Sequence, residues 1–273
     1  MDPQQYPLSA PITAQLGQYG NQLVSQYWTS AAGASDLDLL QIEMEIWSTD
    51  DRQRINGPDL VIASSSIGSA AAFSTAVPDD LAAELVKIVT DAPPMRDLSS
   101  PPMVLEHCRR LLEDRLGRIE LRPASGPSYL IPETVTFRSE LRLVRSDGND
   151  VAVLRGANPG NWGVQEWEQL LDGLLGPWVV AMHNGEVISL CHTPASSARG
   201  AEAGTWTRPE FRGQGHAAAV TAAWAALMRP TGRVLFYSTS RTNVSSQRVA
   251  ARLGLRPIGW LWQLARVRSP GVS

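Results

Sequence analysis

Six residues near the C-terminus, Arg212-Gly213-Gln214-Gly215-His216-Ala217, are of the types that hold a phosphate. Small residues at Gly213, Gly215 and Ala217 let backbone amides point outward. The stretch from Gly213 to Met228 reads as a helix, so its N-terminus would aim unpaired N–H groups and a positive dipole end at an anion. Groups able to move protons lie on both sides of this loop: His192 in Leu190-Cys191-His192-Thr193, Glu202 in Ala201-Glu202-Ala203-Gly204, and Ser246 just after Asn243. The same loop also fits a dinucleotide fingerprint, G-x-G-x-x-G/A, through Gly213, Gly215 and Ala218. That reading needs an acidic residue about 20 positions on to hold a ribose, and no Asp or Glu follows Glu210. An arginine serving a 2′-phosphate keeps the alternative open, although too little chain follows for a doubly wound sheet.

Taken with its flanks, Pro209-Glu210-Phe211-Arg212-Gly213-Gln214-Gly215-His216-Ala217 resembles the donor-binding motif of the GNAT superfamily of N-acyltransferases. The core of that motif is Arg or Gln, two residues, Gly, one residue, then Gly or Ala. A second stretch, Asn243-Val-Ser-Ser246-Gln-Arg-Val249-Ala-Ala-Arg252-Leu-Gly254-Leu255, is similar to the family's later motif, one helix and one strand downstream. The resemblance covers roughly residues 135 to 267. It implies an α/β (α+β) fold with a mixed, mostly antiparallel sheet flanked by helices, and a donor that is acetyl-CoA or another acyl-CoA.

By that resemblance the pyrophosphate of the donor lies on Arg212 to Ala217, and the pantetheine arm pairs with the strand Thr205-Trp206-Thr207, whose backbone supplies an N–H to the oxyanion. Acyl transfer to an amine further needs a base and a proton for the departing thiolate. Glu202 is the first candidate base, against the alternative of a solvated strand-end residue. His192, with an intrinsic pKa near ~6.5, is the second, against a buried structural histidine. Many relatives donate the proton from a tyrosine in the later motif, but Ala250 stands at that position. Ser246 fills the place where other relatives carry a serine near the donor sulfur. Asn243 either binds the pantetheine amide or caps the following helix. Cys191 sits among apolar residues and reads as a packed thiol rather than an acylated nucleophile. Trp162, Trp167 and Trp206 are candidates for an aromatic acceptor pocket, with the core as the alternative, above all for Trp167.

The elements that must hold these groups follow from patterning. Asp36 to Trp47 reads as a buried helix, with a strand left open. Leu60 to Ala63 and Ala70 to Ser74 read as strands around the turn Ser66-Ile67-Gly68, and Leu81 to Thr90 as a helix capped by Asp79 or Asp80. A second helix is expected from Pro102 to Leu116. Ile119 to Arg122, Ser128 to Ile131 and Leu141 to Val144 alternate like strands, separated by Gly, Pro and Asp-Gly turns. Val164 to Leu175 is expected to be a helix with Trp167, Leu170, Leu171 and Leu174 on one face. Trp178 to Met182 and Glu186 to Cys191 form a hairpin across His183-Asn184-Gly185. Gly204 to Thr207, Val234 to Tyr237 and Trp260 to Val267 are strands, and Ser245 to Leu253 is a helix. This organisation divides the chain into a flexible segment 1–20, a smaller α/β domain over 21–125 with its linker near 117–127, and an acyltransferase domain over 126–273. The smaller domain repeats strand-turn-strand-helix near residues 60 to 90, so a degenerate second copy of the fold is one reading of it.

Composition narrows the partners. The net charge is −3, with 43% hydrophobic and 19% charged residues, so there is no general attraction to nucleic acid or to an anionic membrane. The C-terminal lobe differs: beyond Glu210 it carries Arg212, Arg229, Arg233, Arg241, Arg248, Arg252, Arg256, Arg266 and Arg268 and no acid. That asymmetry suits the phosphates of coenzyme A, or an acidic acyl carrier protein presenting the same phosphopantetheine arm. Cys108 and Cys191 are too few for a disulfide framework and share no metal-ligand spacing with the four histidines, so no metal is expected. The single lysine, Lys87, and the wealth of Ala and Gly suggest a GC-rich bacterial genome. No segment approaches the length of a membrane span and no signal pattern opens the chain, so a cytoplasmic protein is expected. The function classes left are a small-molecule amine acyltransferase and a degenerate acyl-CoA-binding regulatory protein. Patterning is silent on the acceptor, the acyl group and the oligomeric state.

Overall fold

The computed structural model describes residues 33–48, 54–55, 57–117 and 119–267; the expected flexible segment 1–20 and Arg268 lie outside them. The first described helix, α1 (Asp36–Ile46), starts where Ser35 and Asp38 cap each other's backbone N–H groups. This reciprocal cap decides between helix and strand for the segment, since it satisfies donors that a strand would not leave open. Leu39, Leu40, Ile42 and Ile46 are buried, and so is Glu43.

Next come β1 (Arg54–Ile55), β2 (Leu60–Ser65), β3 (Gly68–Ser74), α2 (Asp79–Thr90) and α3 (Met103–Arg115). The expected cap of α2 by Asp79 or Asp80 is not what forms: Pro78 is the N-cap and makes no side-chain bond. Asp79 instead receives the guanidinium of Arg54, and Asp80 that of Arg115 at 2.8 Å. Both carboxylates still lie in the first turn, where the helix dipole favours them.

The remaining elements are β4 (Leu121–Leu130), β5 (Arg142–Arg145), α4 (Val164–Leu171), β6 (Trp178–His183), β7 (Glu186–His192), β8 (Gly200–Glu202), β9 (Gly204–Thr207), α5 (His216–Met228), β10 (Val234–Ser238), α6 (Val244–Arg252) and β11 (Arg256–Arg266). Two sheets result, a seven-stranded one in the order β1-β3-β2-β11-β4-β10-β8 and a four-stranded one in the order β5-β6-β7-β9. All pairs are antiparallel except β1 with β3 and β10 with β8. Helices cover both faces of the larger sheet. On one, α2 and α3 bury Leu81, Leu85, Leu105 and Leu112 against Leu60, Ile62, Phe73, Trp262 and Leu264, and α5 packs its Ala and Val side chains onto Val179, Ile188, Ala201 and Leu235; on the other, α1 lies over Val61, Ala72 and Leu261.

Two readings from patterning need correction. The Pro and Gly residues of 123–127 read as turns, yet they lie inside the single strand β4, which pairs with β11 from Leu121 to Leu130. Parity explains it. Pro127 and Ser125 turn their carbonyls away from β11 to accept from Thr239 and Arg241, so the missing N–H groups of Pro123 and Pro127 face that same side. The ladder to β11 therefore keeps all its donors. The expected boundary near residue 125 falls inside this strand, and the described residues from Ala34 onward belong to one compact unit. The second correction concerns α4, which ends at Leu171; Gly173 turns the chain at φ 79° and leaves Leu174 73% exposed. The hairpin between β6 and β7 forms as expected, with Asn184 at φ 50° and Gly185 at φ 84°. Among the described residues no helix is long and apolar enough to cross a membrane.

Gly126 lies where β4 passes the end of β10, and a Cβ there would collide with the carbonyl of Thr239. Gly126→Ala is expected to destabilise the fold by about 1–3 kcal/mol, the usual cost of overpacking a tight contact. Urea denaturation would read this as a lower midpoint at unchanged slope; an unchanged midpoint would contradict so close an approach.

Candidate active site

The site is built where one extended segment changes sheets. β8 pairs in parallel with β10, with Glu202 opposite Phe236, whereas β9 pairs antiparallel with β7, with Thr205 opposite Cys191. Ala203 is the last residue tied to β10, through its N–H to the Phe236 carbonyl at 3.0 Å. Beyond it β9 forms the edge of its own sheet, so a wedge opens between β9 and β10. Arg208 donates its N–H to Ile188 at 2.8 Å. By the alternation of an antiparallel ladder, Trp206 and Gly204 therefore face β7 while the N–H groups of Thr205 and Thr207 face the wedge. A strand edge with outward amides accepts an extended amide-bearing chain.

One end of the wedge leads to the glycine loop. Gly213 (φ 81°) and Gly215 (φ 94°) adopt left-handed backbone that side chains disfavour, and α5 therefore starts only at His216. Its first intrahelical bond runs from the Ala219 N–H to the Gly215 carbonyl at 3.0 Å. The N–H groups of His216, Ala217 and Ala218 precede it and point out of the helix end, an anion site by geometry and dipole. Arg212 is held by its Nε to the Thr207 carbonyl at 3.1 Å. Arg252 of α6 reaches back to the Gly213 carbonyl at 3.5 Å, adding positive charge beside the loop. Gln214 Nε2 donates to the Glu210 carbonyl at 3.4 Å, which braces the loop from within.

Asn243 caps α6, its Oδ1 accepting the Ser246 N–H at 3.1 Å. The Ser246 hydroxyl lies 2.6 Å from the Tyr237 hydroxyl. Tyr237 escaped notice in the sequence, where it was only the last residue of a strand. Burial holds its phenol protonated, so it backs Ser246 with a proton.

Glu202 is 4% exposed. Its Oε1 accepts the Ser238 N–H at 2.6 Å and the Ser238 hydroxyl at 2.9 Å, while Oε2 has no partner. Burial lifts its carboxyl to about 7, against the lowering effect of the Ser238 bonds. The alternative of a solvated strand end does not hold here. His192 donates from Nδ1 to the Gly204 carbonyl at 3.0 Å and meets Trp162 edge-on at 5.0 Å. Burial pulls its pKa down to about 4, which leaves Nε2 an unprotonated but weak base beside Glu202's stronger one. Burial pushes the Cys191 thiol up to about 12, and both cysteines are buried and unpaired. Trp167 is 1% exposed and donates to the Leu154 carbonyl, so it belongs to the core; Trp162 and Trp206 are only partly buried against that same cluster.

Residues 133–256 match the family model described as the acetyltransferase (GNAT) domain. This stretch is a GNAT acetyltransferase domain. Solved structures with a similar chain path include a GNAT-family protein from Novosphingobium aromaticivorans DSM 12444, 18% identical, covering 84% of this chain and 97% of that one at a TM-score of 0.47. A GCN5-related N-acetyltransferase-like protein from Streptococcus suis 89/1591 is 19% identical over 80% of this chain and 87% of that one, at a TM-score of 0.43. The protein AAC(6′)-Iy, in complex with the bisubstrate analogue CoA-S-monomethyl-acetylneamine, is 20% identical over 50% of this chain and 98% of that one, at 0.35. No curated protein sequence matches the chain. Glu202, the loop Arg212 to Ala217, Asn243 and Ser246 all fall inside the GNAT domain, whereas α1, which covers Glu202, lies outside it.

The described arginines beyond Glu210 separate into two groups. Arg256 pairs with Asp36 at 2.5 Å and Arg266 with Asp59 at 2.9 Å, while Arg229 and Arg233 donate to backbone carbonyls. The acids missing from the C-terminal lobe are thus supplied by earlier segments. Arg212 and Arg252 bond the backbone at and beside the anion site, while Arg248 lies exposed on α6 and Arg241 just ahead of that helix.

Proposed function

We propose that the GNAT domain transfers an acyl group from acetyl-CoA or another acyl-CoA directly to an amine of a small-molecule acceptor. The observation that carries this reading is the wedge between β9 and β10, with an anion-binding helix end on one side and a buried carboxylate of raised pKa at its root. The donor's pyrophosphate would lie on the N–H groups of His216 to Ala218, with Arg212 and Arg252 beside it. Its pantetheine arm would pair with the amides of Thr205 and Thr207, one of which would meet the developing oxyanion. Glu202 takes the proton from the amine nitrogen as that nitrogen bonds to the thioester carbon. Collapse of the tetrahedral intermediate breaks the C–S bond, and the thiolate takes the proton of the Ser246 hydroxyl, whose oxygen the Tyr237 hydroxyl holds by a hydrogen bond; Glu202 gives its proton up to solvent, and solvent reprotonates Ser246. A covalent route through Cys191 is disfavoured, since a thiol held near 12 is scarcely ionised at neutral pH.

Release of free thiol from acetyl-CoA in the presence of a panel of small amines tests the reading. Ser246→Ala should lower kcat roughly tenfold to a hundredfold with little change in donor KM, because the contact matters mainly in the transition state. Tyr237→Phe should give a similar but smaller loss. Full kcat in both variants would remove the hydroxyl pair from the mechanism. Acetyl-CoA binding without turnover on any amine would favour the regulatory reading instead.

A carrier protein as donor is the second reading, supported by Arg248, which is exposed on α6 and makes no ion pair among the described residues; Arg241, at the far end of α6 from Arg252, acts instead on Asp97. The engagement of Arg229, Arg233, Arg256 and Arg266 elsewhere shrinks the surface available to it, so free acyl-CoA is the better-supported donor.

A further inference from the structure

Glu202 has a companion that the reaction above does not use. Along the segment that crosses between sheets, Ala201 and Ala203 face α5, so Glu202 faces the opposite side, where α1 lies. A Cβ at Gly200 would meet Ile42 and Ile46 of α1 at 3.0 Å each, which puts that helix directly over the strand. From its buried face α1 extends Glu43, 1% exposed, into the same layer. The hydroxyl of Ser128 donates to Glu43 Oε2, as Ser238 does to Glu202 Oε1. Ser128 and Ser238 are cross-strand partners in β4 and β10, and directly opposed residues stand only about 5 Å apart. Two carboxyls therefore sit above one pair of adjacent serines, each with one oxygen bonded to its serine and the other, Glu43 Oε1 and Glu202 Oε2, buried without a partner.

We propose that Glu43 and Glu202 act as one coupled acid pair, in which Glu43 is the positioning residue that sets the proton state Glu202 offers to the acceptor. Like charges sharing a dry layer cannot both ionise readily, so the pair keeps one proton through neutrality. No titratable group outside the pair is among the influences on either carboxyl; the charge of Glu202 acts in turn on Tyr237 of β10 and Cys191 of β7, each held neutral by burial. Glu43 is raised first by burial and then by the charge of Glu202. The nearest ion pair of α1, Glu45 with Arg199 at 2.6 Å, is partly exposed and is not among the influences on either carboxyl. Keeping the proton on Glu43 leaves Glu202 as the ionised member, with its free oxygen available as the base.

This inference rests on Glu202 as the base, but its test is readable without turnover. Side-chain carboxyl carbons of 13C-glutamate-labelled protein would be titrated by NMR in the wild type, Glu43→Gln and Glu202→Gln. The wild type should show two glutamates with midpoints above all others among the described residues. Removing either partner should shift the survivor's midpoint by about one pH unit or more, because coupling is reciprocal. Ser128→Ala, which removes only the hydroxyl on Glu43, should raise the midpoint of Glu43 and lower that of Glu202, and it serves if a glutamate variant fails to fold. A survivor titrating as in the wild type, or Glu202 unmoved in Ser128→Ala, overturns the pair. The break in the pH profile of kcat/KM should follow the Glu202 midpoint. If the midpoints move together and the break does not, the pair stands and the assignment of Glu202 as base fails.

Discussion

Glu202→Gln is expected to lower kcat/KM by about a hundredfold or more near pH 8, the range for loss of a well-placed general base. The deficit should depend on pH in a way that identifies the group. Below about 7 the wild-type carboxyl is itself protonated, so wild type and variant converge. Above ~10 an alkylamine deprotonates unaided, and they converge again. The variant should also lack the wild-type break near 7. Stability should move the other way. A carboxyl raised from 4.5 to about 7 binds its proton more tightly in the folded state, so its contribution is fully present below 4.5 and is lost as pH rises through 7. Across that window the wild type should lose on the order of 1.4 kcal/mol per pH unit that Glu202→Gln retains. A variant that is both slower and more stable at pH 8 fits a buried functional carboxylate. Full activity with an unaltered pH profile would exclude it as the base.

Gly215→Val should raise the donor KM more than tenfold while the fold survives. A valine at φ 94° is strained in itself, and its Cβ would press on Arg252 Nη1 and Phe137 Cε1, both at 3.2 Å. The loop can relieve this only by turning its amides and displacing Arg252. Gly213→Ala is the control, because a Cβ there meets nothing within 4 Å and only the backbone strain at φ 81° remains. The order of donor KM should be wild type, then Gly213→Ala, then Gly215→Val. Equal KM values in all three would remove the loop from donor binding.

How much of this was legible in the sequence depended on whether the signal was local. The glycine loop could be read because glycine spacing encodes backbone conformation directly, and Gly213 and Gly215 do take left-handed geometry. Asn243 announced a helix cap in the same way, and Asn184-Gly185 a hairpin. Where the deciding partner was distant, patterning failed. Pro123, Gly126 and Pro127 carry the local chemistry of a turn, but β11 supplies a ladder that asks neither proline for an N–H. Asp79 and Asp80 look like caps until Arg54 and Arg115 claim them. His192 has an ordinary intrinsic pKa, and only the dry surroundings of Trp162 and Gly204 reveal it as a weak base. Glu43 could not have been found at all from spacing. It sits on a helix read as plain core, far along the chain from Glu202, and only the pairing of β4 with β10 brings their serines together.

The central claim is that the helix end at His216 and the wedge beside it bind a phosphopantetheine thioester. Calorimetric titration of acetyl-CoA into the full chain tests it most directly. The account predicts one site per chain with a dissociation constant between roughly 1 μM and 1 mM, the usual span for enzyme substrates, and at least tenfold weaker binding to Gly215→Val. No heat of binding to the wild type, or the same affinity in Gly215→Val, would contradict it.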